Sequence, residues 1–441
     1  MEKPITLAIE SLSHDGKGVG RYEGMVVFVE GALPGEEVRV CVKERKKGYA
    51  EAVLIDVIRS SPHRRSSPCA VYDECGGCQL LHLEYLVQLD AKTALVKNQL
   101  LRIGGFKDVK VNPCIGMDEP WGYRNKVVFQ VSYADNFKLG FYAGRTNDFI
   151  PQTCCLLARQ GVKAAAWSIE TAINMFSSEF KGLSRVLIRE SNYDGKILIG
   201  LIFEKKHPGG RYIPFVDMVK TEVVNLEGVV EYCSPNPKVY WEGNSRLIFG
   251  KDHFIEKLGN YRFKVSAASF FQVNSLQSEK LFETTKDFCT GINKPVILDL
   301  YCGTGTIGLF LSGLASKVYG IDSLPEAIED ARANASLNNV ENVTFLCGRA
   351  EEEVSKLLKD GVYPDIVVVD PPRKGCHPGL LDCILDIRPQ RVIYVSCNPS
   401  TLARDLKRLA SEYTIDIVQP VDMFPHTVHV ECVIGMQRKD T

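Results

Sequence analysis

The sequence predicts an α/β protein in three parts: an N-terminal β-barrel, a mixed α+β central domain, and a C-terminal domain built on a parallel sheet. With 441 residues, the chain is too long for a single hydrophobic core. Short strand-like runs separated by glycines fill residues 1–60. Strand and helix patterns alternate from about residue 266 onward, which predicts parallel strands with helices on both faces of the sheet.

The composition is that of an ordinary globular protein, with 45% hydrophobic and 24% charged residues. No apolar run approaches the roughly 18 residues that a membrane span needs, and the N-terminus does not resemble a signal peptide. We therefore expect a cytoplasmic protein that makes no membrane contact and acts as a monomer. Because the net charge is −1, nucleic-acid binding would depend on local basic clusters.

The N-terminal 60 residues contain four or five strand-like runs, among them Met25–Val29 and Glu37–Val42. Turn residues at this spacing are typical of a small OB-like barrel. The basic run Lys43–Lys47 follows one of these strands, and His63–Arg65 follows the linker. These are the candidate RNA contacts, although each cluster taken alone is explained equally well as a solvated loop.

Residues 61–265 are expected to form the central domain and residues 266–441 the C-terminal domain. The predicted parallel strands of the C-terminal domain are Val296–Tyr301, Lys317–Asp322, Val343–Cys347, Asp365–Asp370 and Arg391–Cys397. Two more strands follow, near Ile415–Val418 and Val428–Met436. Their connector is too short for a crossover helix, which predicts an antiparallel hairpin at the edge of the sheet.

The first of these strands leads into a glycine-rich loop that contains Gly303, Gly305 and Gly308. Glycines let the backbone turn sharply and lie against a ligand before a helix begins. Asp322 ends the second strand about 20 residues later, where a carboxylate can bind both hydroxyls of a ribose. The same spacing fits a dinucleotide site, so an NAD-linked oxidoreductase is the alternative enzyme. A turn without a ligand is less favoured, given Asp322.

Two later strand ends carry reactive side chains. Asp370-Pro-Pro-Arg373 ends the fourth strand, and Cys397 ends the fifth. Ligands in such sheets bind beyond the carboxyl ends of the strands, so these residues should lie beside the cofactor. A dehydrogenase gains nothing from an exposed cysteine there, whereas a nucleobase methyltransferase can use one.

Methylation of uracil at carbon 5 needs this kind of chemistry, because that carbon is a poor nucleophile. A thiolate that adds to carbon 6 creates an enolate, carbon 5 then attacks a methylsulfonium, and a base removes the carbon 5 proton. Cys397 is the candidate nucleophile, and Arg373 could lower its pKa. Glu431 is the leading candidate for the base, with His426 and His429 as alternatives. Taken alone, Cys397 could be a buried strand-end cysteine and Glu431 a solvated carboxylate.

Five segments together resemble the RNA (uracil-5-)-methyltransferases, and most closely the bacterial 23S ribosomal RNA branch with a TRAM barrel and an iron–sulfur cluster. The segments are Phe270–Asn274, Leu298–Thr306, Asp370–Lys374, Ser396–Pro399 and Phe424–Glu431. The resemblance covers the whole chain. It implies a class I (Rossmann-like) domain that uses S-adenosylmethionine to methylate RNA, with 23S ribosomal RNA as the expected substrate and transfer RNA as the alternative.

The resemblance also implies roles for single residues. Cys397 would be the nucleophile and Glu431 the base. The residues expected at the cofactor, together with the loop glycines, are Gln272, Tyr301, Gly303, Gly305, Asp322 and Asp370. The residues expected at the uracil are Arg373, Asp370 and Gln272. Relatives often have Glu in place of Asp322, and the shorter carboxylate should still reach a ribose.

A cysteine cluster opens the central domain. Cys69, Cys75 and Cys78 place three thiols in a compact loop, and a fourth is needed to close a four-cysteine site. Cys154 and Cys155 are both candidates. The resemblance points to a [4Fe–4S] cluster and favours Cys155, because the fourth ligand of relatives is followed directly by a short apolar run. Zinc is the alternative metal, and a closed cluster would be structural or RNA-orienting rather than catalytic.

Three functions therefore compete: an RNA uridine methyltransferase, an NAD-linked iron–sulfur oxidoreductase, and a non-catalytic RNA-binding module. The presence of both Cys397 and Glu431 argues against the third.

Overall fold

The computed structural model of the protein describes residues 3–144, 146, 148–205, 212–233 and 244–439. Its N-terminal part is a closed barrel in the strand order β1-β2-β3-β5-β4. The strands are β1 (Ile5–Leu12), β2 (Gly18–Tyr22), β3 (Met25–Val29), β4 (Glu37–Lys46) and β5 (Tyr49–Arg59). Alternate apolar residues fill its interior, as expected for strands with one buried face. The predicted OB-like barrel is confirmed.

A buried carboxylate fastens the barrel to the chain that follows it. Glu36 is completely buried, and its two oxygens accept hydrogen bonds of 2.6 and 2.8 Å from the Arg64 guanidinium. Fork-like pairs of this kind are directional as well as strong. The segment after the barrel is therefore held in one orientation as it enters the cysteine-rich region.

The central region contains a mixed sheet in the order β12-β11-β10-β9-β6-β7-β8 within the described part of the chain. The strands are β6 (Lys126–Tyr133), β7 (Phe137–Tyr142), β8 (Phe149–Pro151), β9 (Leu183–Glu190), β10 (Ile197–Phe203), β11 (Leu226–Cys233) and β12 (Asn244–Gly250). Helix α1 (Tyr85–Gln99) precedes this sheet, and α2 (Gln160–Met175) and α3 (Ile213–Glu222) pack against it. A small hairpin, β13 (His253–Leu258) and β14 (Tyr261–Ser266), follows.

The C-terminal sheet has the order β17-β16-β15-β18-β19-β21-β20. Its strands are β15 (Val296–Leu300), β16 (Lys317–Asp322), β17 (Val343–Cys347), β18 (Ile366–Val369), β19 (Arg391–Ser396), β20 (Tyr413–Val421) and β21 (Glu431–Arg438). Its helices are α4 (Ser275–Phe288), α5 (Thr306–Ser312), α6 (Pro325–Leu337), α7 (Ala350–Lys359), α8 (Pro378–Ile387) and α9 (Pro399–Leu409). The first five strands are parallel and the last two form an antiparallel hairpin, as predicted.

The order of the hairpin strands matters for the site. The later strand, β21, lies inside the sheet against β19, and β20 forms the edge. Buried strands such as β21 need apolar side chains on both faces, and residues 432–436 are buried accordingly. The first residue of β21, Glu431, is therefore brought next to the end of β19.

Two elements that precede residue 266 pack on the C-terminal sheet. Val96 and Leu100, in and just after α1, share a core cluster with residues of α9, and Asn334 of α6 accepts a hydrogen bond from the β14 backbone at Lys264. The three-domain division with boundaries at residues 60 and 265 stays a prediction. In the described ranges, no helix is long and apolar enough to cross a membrane.

Candidate active site and cysteine cavity

The parallel strands bring the predicted site residues to one edge of the sheet. Strands β15, β16, β18 and β19 run in the same direction, so their carboxyl ends meet. Tyr301, Asp322, Asp370 and Cys397 each stand at or directly after one of these ends. This edge is the place where open α/β sheets bind ligands.

The loop after β15 depends on its glycines. Gly305 has φ +79°, and a Cβ there would come within 2.5 Å of the Phe345 ring. Gly303 also lies in the left-handed region, at φ +52°, and its N–H donates to the Asp322 carboxylate at 3.0 Å. Tyr301 has φ 64°, which is unusual for a bulky residue and a mark of functional strain. The loop is therefore shaped for close approach by a ligand.

Three carboxyl groups surround this loop. Asp299 is completely buried, one oxygen accepts from Gly308 N–H at 2.8 Å, and the other has no partner in the described part of the chain. Burial, followed by the nearby charges of Asp370 and Asp322, raises the pKa of Asp299 to about 7. Clustered carboxylates favour a cation over the anionic diphosphate of a dinucleotide. The orphaned oxygen and the acidic surroundings thus fit S-adenosylmethionine, which carries a sulfonium.

Asp299 was not among the predicted site residues. An acidic residue inside a buried strand is the signal that could have found it, because such a group is seldom buried without a partner.

The loop after β18 presents Arg373 toward the same edge. Its carbonyl accepts from the Asn398 amide at 3.0 Å and from the Thr401 hydroxyl at 3.2 Å, which ties this loop to the start of α9. Its guanidinium lies 3.5 Å from the His429 ring nitrogens. Arg373 also lowers the pKa of both Cys397 and Glu431, against stronger opposing effects. The guanidinium therefore places a positive charge close to both the candidate nucleophile and the candidate base.

Cys397 and Glu431 are brought together by strand register. Ser396 of β19 pairs with Cys432 of β21, so in this antiparallel pair the residue after Ser396 lies beside Glu431. Burial, then the charges of Glu431 and Asp370, raise the pKa of Cys397 to about 11. Burial, followed by Asp370, raises the pKa of Glu431 to about 8. A thiol and a buried carboxyl with a pKa near neutrality thus face one site.

Helix α9 begins two residues after Cys397, at Pro399. The Asn398 side chain accepts a hydrogen bond from Ser400 N–H at 3.1 Å, and Pro399 occupies the first helical turn. Asparagine caps and an N-terminal proline are favourable helix starts. The thiol is therefore held in a short, fixed turn between a strand and a capped helix.

Gln272 lies in the segment that leads into α4. Its carbonyl accepts from the Asn125 amide at 3.0 Å, and two residues later Asn274 donates to the Met423 carbonyl at 3.0 Å. The segment therefore connects the central sheet with the chain that precedes Glu431. The Gln272 side chain is partly buried, and its contact with cofactor or uracil stays a prediction.

The predicted alternative bases differ from Glu431 in their surroundings. His426 is buried, its backbone is left-handed at φ 67°, and burial lowers the pKa of its ring to about 4. Trp121 stacks on this ring at 4.1 Å between centroids. His429 is partly buried and lies against Arg373. These contacts indicate a structural role for His426 rather than a role as the base.

The cysteine-rich loop lines a cavity of about 340 Å³. The thiol-bearing residues along its wall are Cys69, Cys75, Cys78 and Cys155. Cys154, the residue directly before Cys155, is exposed instead. A Cβ on Gly76 would come within 2.3 Å of the Gly144 backbone, which explains why glycine occupies this turn. The loop is thereby closed against the turn after β7.

The cavity wall contains a thiol with a shifted pKa, Cys78, and a buried guanidinium, Arg124. Burial, then the charge of Cys155, raise the pKa of Cys78 to about 12. The Arg124 guanidinium also lines the cavity, and its Nε is buried without a hydrogen-bond partner in the described ranges. Among the residues that the structure describes, no three His, Cys, Asp or Glu side chains are grouped closely enough to hold one metal ion directly.

Comparison with known proteins identifies the family. The model of the tRNA (uracil-5-)-methyltransferase family matches residues 242–439, and that of the TRAM domain matches residues 3–55. An uncharacterized RNA methyltransferase of Bacillus cereus is 40% identical, over 98% of this chain and 96% of the relative. Another, of Clostridium acetobutylicum, is 38% identical over the same shares.

The chain belongs to the RNA (uracil-5-)-methyltransferase family.

A solved structure extends this likeness to three dimensions. The tRNA (uracil-54, C5)-methyltransferase of Pyrococcus abyssi, in complex with S-adenosyl-L-homocysteine, has a TM-score of 0.76 and 30% identity. The match covers 98% of this chain and 99% of that chain. This protein is therefore an S-adenosylmethionine-dependent RNA methyltransferase with an N-terminal TRAM domain. The oxidoreductase and the non-catalytic module, both kept open on sequence alone, are excluded.

The methyltransferase also contains buried polar residues that the sequence did not single out. Lys92 and Asp422 form an ion pair in which both side chains are almost inaccessible, at 1% and 0% exposure. Tyr85 donates to the same carboxylate at 2.9 Å, and Gln277 donates to the Asp422 carbonyl at 3.0 Å. These contacts join α1 and α4 to the chain before Glu431.

Proposed function

We propose that this methyltransferase modifies carbon 5 of a uridine in 23S ribosomal RNA through a covalent bond between Cys397 and carbon 6 of the base. The observation that carries the proposal is the register of β19 and β21, which sets Cys397 beside Glu431 at the edge formed by the cofactor loop. A nucleophile and a base on neighbouring strands can act in turn on adjacent carbons of one pyrimidine ring.

Bound S-adenosylmethionine supplies an electrophilic methyl group. Cys397 first releases its proton to solvent, and its sulfur forms a bond to carbon 6 while the ring electrons move onto the carbonyl oxygen at carbon 4. Carbon 5 then takes the methyl group as the methyl–sulfur bond breaks. Glu431 removes the carbon 5 proton, and the returning electrons break the bond between carbon 6 and Cys397. The products are 5-methyluridine, S-adenosylhomocysteine and one proton.

Other residues orient the reactants in this scheme. Tyr301, Gly303, Gly305 and Asp322 would hold the cofactor, and the Asp322 carboxylate would accept hydrogen bonds from its ribose. Asp370 would contact both the cofactor and the uracil.

Arg373 faces the substrate, and its charge favours both the Cys397 thiolate and the ionised form of Glu431. Gln272 completes the contacts to the uracil edge.

The two chemical residues are separated by a trapping experiment. Glu431→Gln preserves size and hydrogen bonding but cannot accept the proton, so the methylated RNA should stay bonded to Cys397. Loss of a general base typically slows a reaction about 10²–10⁴-fold, enough for the adduct to accumulate. With methyl-labelled S-adenosylmethionine, denaturing electrophoresis should give a shifted, labelled band.

The control for this experiment is the double variant Cys397→Ala/Glu431→Gln, which should give no shifted band. Normal turnover by Glu431→Gln would show that Glu431 is not the base. Methylation by Cys397→Ala would show that the covalent mechanism is wrong.

A transfer RNA substrate is the second candidate. It is favoured by the match to a transfer RNA methyltransferase along nearly the whole chain. The two substrates are distinguished by mapping 5-methyluridine in ribosomal and transfer RNA from a strain that lacks the gene. Loss of the modification from 23S ribosomal RNA alone supports the proposal, and loss from transfer RNA alone supports the second candidate.

We also propose that the cysteine cavity holds a [4Fe–4S] cluster on Cys69, Cys75, Cys78 and Cys155. Four thiols around a cavity, rather than around a point, suit a ligand with the bulk of a cluster. A cluster with four thiolates is anionic, and the buried Arg124 guanidinium with an unpartnered N–H offers a matching cation.

Metal analysis tests this site. Protein purified without oxygen should be brown and contain iron and sulfide at about four each per chain, as four-iron clusters require. Cys155→Ser should lower the iron content and Cys154→Ser should not, which makes the neighbouring cysteine a matched control. Stoichiometric zinc without sulfide would exclude the iron–sulfur assignment.

A further inference from the structure

The chain between β20 and β21, residues 422–430, leads directly into Glu431 and is called the base loop here. Its centre, His426, has a left-handed backbone at φ 67°, a conformation that residues other than glycine seldom adopt without support. The support comes from the cysteine loop, residues 69–83. The N–H groups of Gln79 and Leu80, directly after Cys78, donate to the His426 carbonyl at 3.1 and 3.0 Å.

Gln88 of α1 binds both loops at once. Its side chain is completely buried. Its amide nitrogen donates to the carbonyls of Leu80 at 3.0 Å and Leu83 at 2.7 Å, at the end of the cysteine loop. Its amide oxygen accepts from the His426 N–H at 3.0 Å, and its nitrogen lies 3.2 Å from the His426 ring. One neutral side chain thus satisfies buried groups of two separate segments.

The chemistry of these groups explains why glutamine is suited to the position. Two carbonyl oxygens require donors and one backbone N–H requires an acceptor, and a primary amide supplies both. Leucine has nearly the same volume and supplies neither, so it would leave buried groups unpaired. A shorter amide, as in asparagine, has the same functional groups with less reach.

We propose that Gln88 is a positioning residue that fastens the cysteine loop to the base loop, so that order in the cysteine loop aligns Glu431. The inference rests on the proposed function, in which Glu431 is the base. Cys397 follows a different strand, β19, and is held by its own helix cap. Loss of the Gln88 contacts should therefore affect proton removal far more than bond formation by Cys397.

The test compares Gln88→Leu with Gln99→Leu. Both residues are glutamines of α1, and Gln99 accepts a hydrogen bond from Ser400 rather than contacting the base loop. Two quantities are measured: amide hydrogen exchange across residues 422–430, and the separate rates at which the RNA adduct forms and breaks down.

For Gln88→Leu, exchange in the base loop should rise at least about tenfold. Adduct breakdown should slow about 10–100-fold, since small misplacements of a catalytic group have effects of this size, while adduct formation changes by less than about threefold. The Gln99→Leu control should match the parent enzyme in base-loop exchange and in the rate of adduct breakdown. Gln88→Asn, which retains the amide, serves if the leucine variant does not fold and should show intermediate effects.

The dependence on the cysteine loop is tested with Cys75→Ser, which should also raise exchange in the base loop. Replacement of the exposed Cys154 by Ser should not.

Unchanged exchange in Gln88→Leu, or equal slowing of both rates, overturns the inference. If Glu431→Gln traps the adduct and Gln88→Leu does not, this inference alone is wrong. If Glu431→Gln turns over normally, the proposed base is wrong and the inference falls with it.

Discussion

The cofactor edge and the base loop face the same substrate but are held in different ways. At the cofactor edge, contacts are local along the chain: Asp299 binds Gly308 nine residues away, and Gly303 binds Asp322 across 19 residues. In the base loop, several partners are remote: Gln88 and His426 are 338 residues apart, and Tyr123 and Pro425 are 302 apart.

This difference separates two kinds of preorganisation. The cofactor edge is fixed mainly by backbone geometry, through glycines and the carboxyl ends of parallel strands. The base loop is fixed by buried polar side chains from other parts of the molecule. Damage to the first should therefore appear as weaker cofactor binding. Damage to the second should appear as lower stability or slower proton removal, with cofactor affinity preserved.

The largest expected effect concerns the buried ion pair of the base loop. Lys92→Met leaves the Asp422 carboxylate buried without its cation, which typically lowers the free energy of unfolding by about 3–5 kcal/mol. The measurement is the denaturant dependence of unfolding. Lys280→Met, at an exposed lysine that donates to the Gly116 carbonyl, should change the stability by less than about 0.5 kcal/mol.

Removing both charges sharpens this test. Lys92→Met/Asp422→Leu should recover part of the loss, since no uncompensated charge remains, although Tyr85 then lacks its acceptor. If the single variant is as stable as the parent, buried polar contacts are not what fixes the base loop.

A smaller effect is expected at the cofactor edge. Gly305→Ala combines a left-handed backbone with a collision against Phe345, at 2.5 Å from the added carbon. Strained backbones of this kind cost about 1–3 kcal/mol, so affinity for S-adenosylhomocysteine should fall about 10–100-fold in calorimetric titration. Gly313→Ala is the control. The φ of Gly313, −67°, is ordinary, and an added Cβ there would meet nothing within 4 Å.

Stability measurements on the same variant compare the two regions directly. A Gly305→Ala protein that loses stability but binds the cofactor normally would contradict the assignment of this loop to cofactor binding.

The rate of adduct breakdown should change about tenfold with pH. Burial, then Asp370, raise the pKa of Glu431 to about 8, and only the ionised carboxylate can accept the proton. The rate should therefore increase with pH and level off above about pH 8. Asp370→Asn removes a negative neighbour and should move the midpoint to lower pH, whereas Arg373→Met removes a positive one and should move it higher.

A shift of about one pH unit corresponds to about 1.4 kcal/mol. Midpoints that move in the same direction in both variants would mean that another group titrates. So would a rise of the rate with pH that persists in Glu431→Gln.

The smallest effect is expected at a basic cluster of the TRAM barrel that belongs to neither of these regions. Lys43, Arg45, Lys46 and Lys47 are exposed near the turn between β4 and β5. Their replacement by Ala should reduce the slope of log affinity for RNA against log salt by up to about 0.7 to 0.9 for each phosphate that is no longer neutralised. Lys356→Ala/Lys359→Ala, at exposed positions on α7, controls for general charge. An unchanged slope would rule out phosphate binding by the barrel cluster.

The sequence predicted the fold well where structure depends on local patterns. Strand–helix alternation predicted the parallel sheet, and the short connector predicted the final hairpin. Because parallel strands end at one edge, the meeting of Asp322, Asp370 and Cys397 also followed from the pattern. The assigned roles of these residues stay predictions.

Contacts that join distant segments could not be predicted in the same way. Nothing near Gln88 or Lys92 in the sequence indicates a partner more than 300 residues away, because both lie in a helix whose other positions look ordinary. The inner position of β21 was also not predicted, since a hairpin pattern does not say which strand faces the sheet.

The high pKa of Cys397 has a consequence for the chemistry of the resting enzyme. At neutral pH, a thiol whose pKa is raised by burial well above that of a free cysteine is almost entirely protonated. Peroxides and alkylating agents react with thiolates rather than thiols. The free enzyme should therefore survive oxidative and electrophilic stress with its nucleophile intact, and reactivity should arise only when bound substrates assemble around the sulfur.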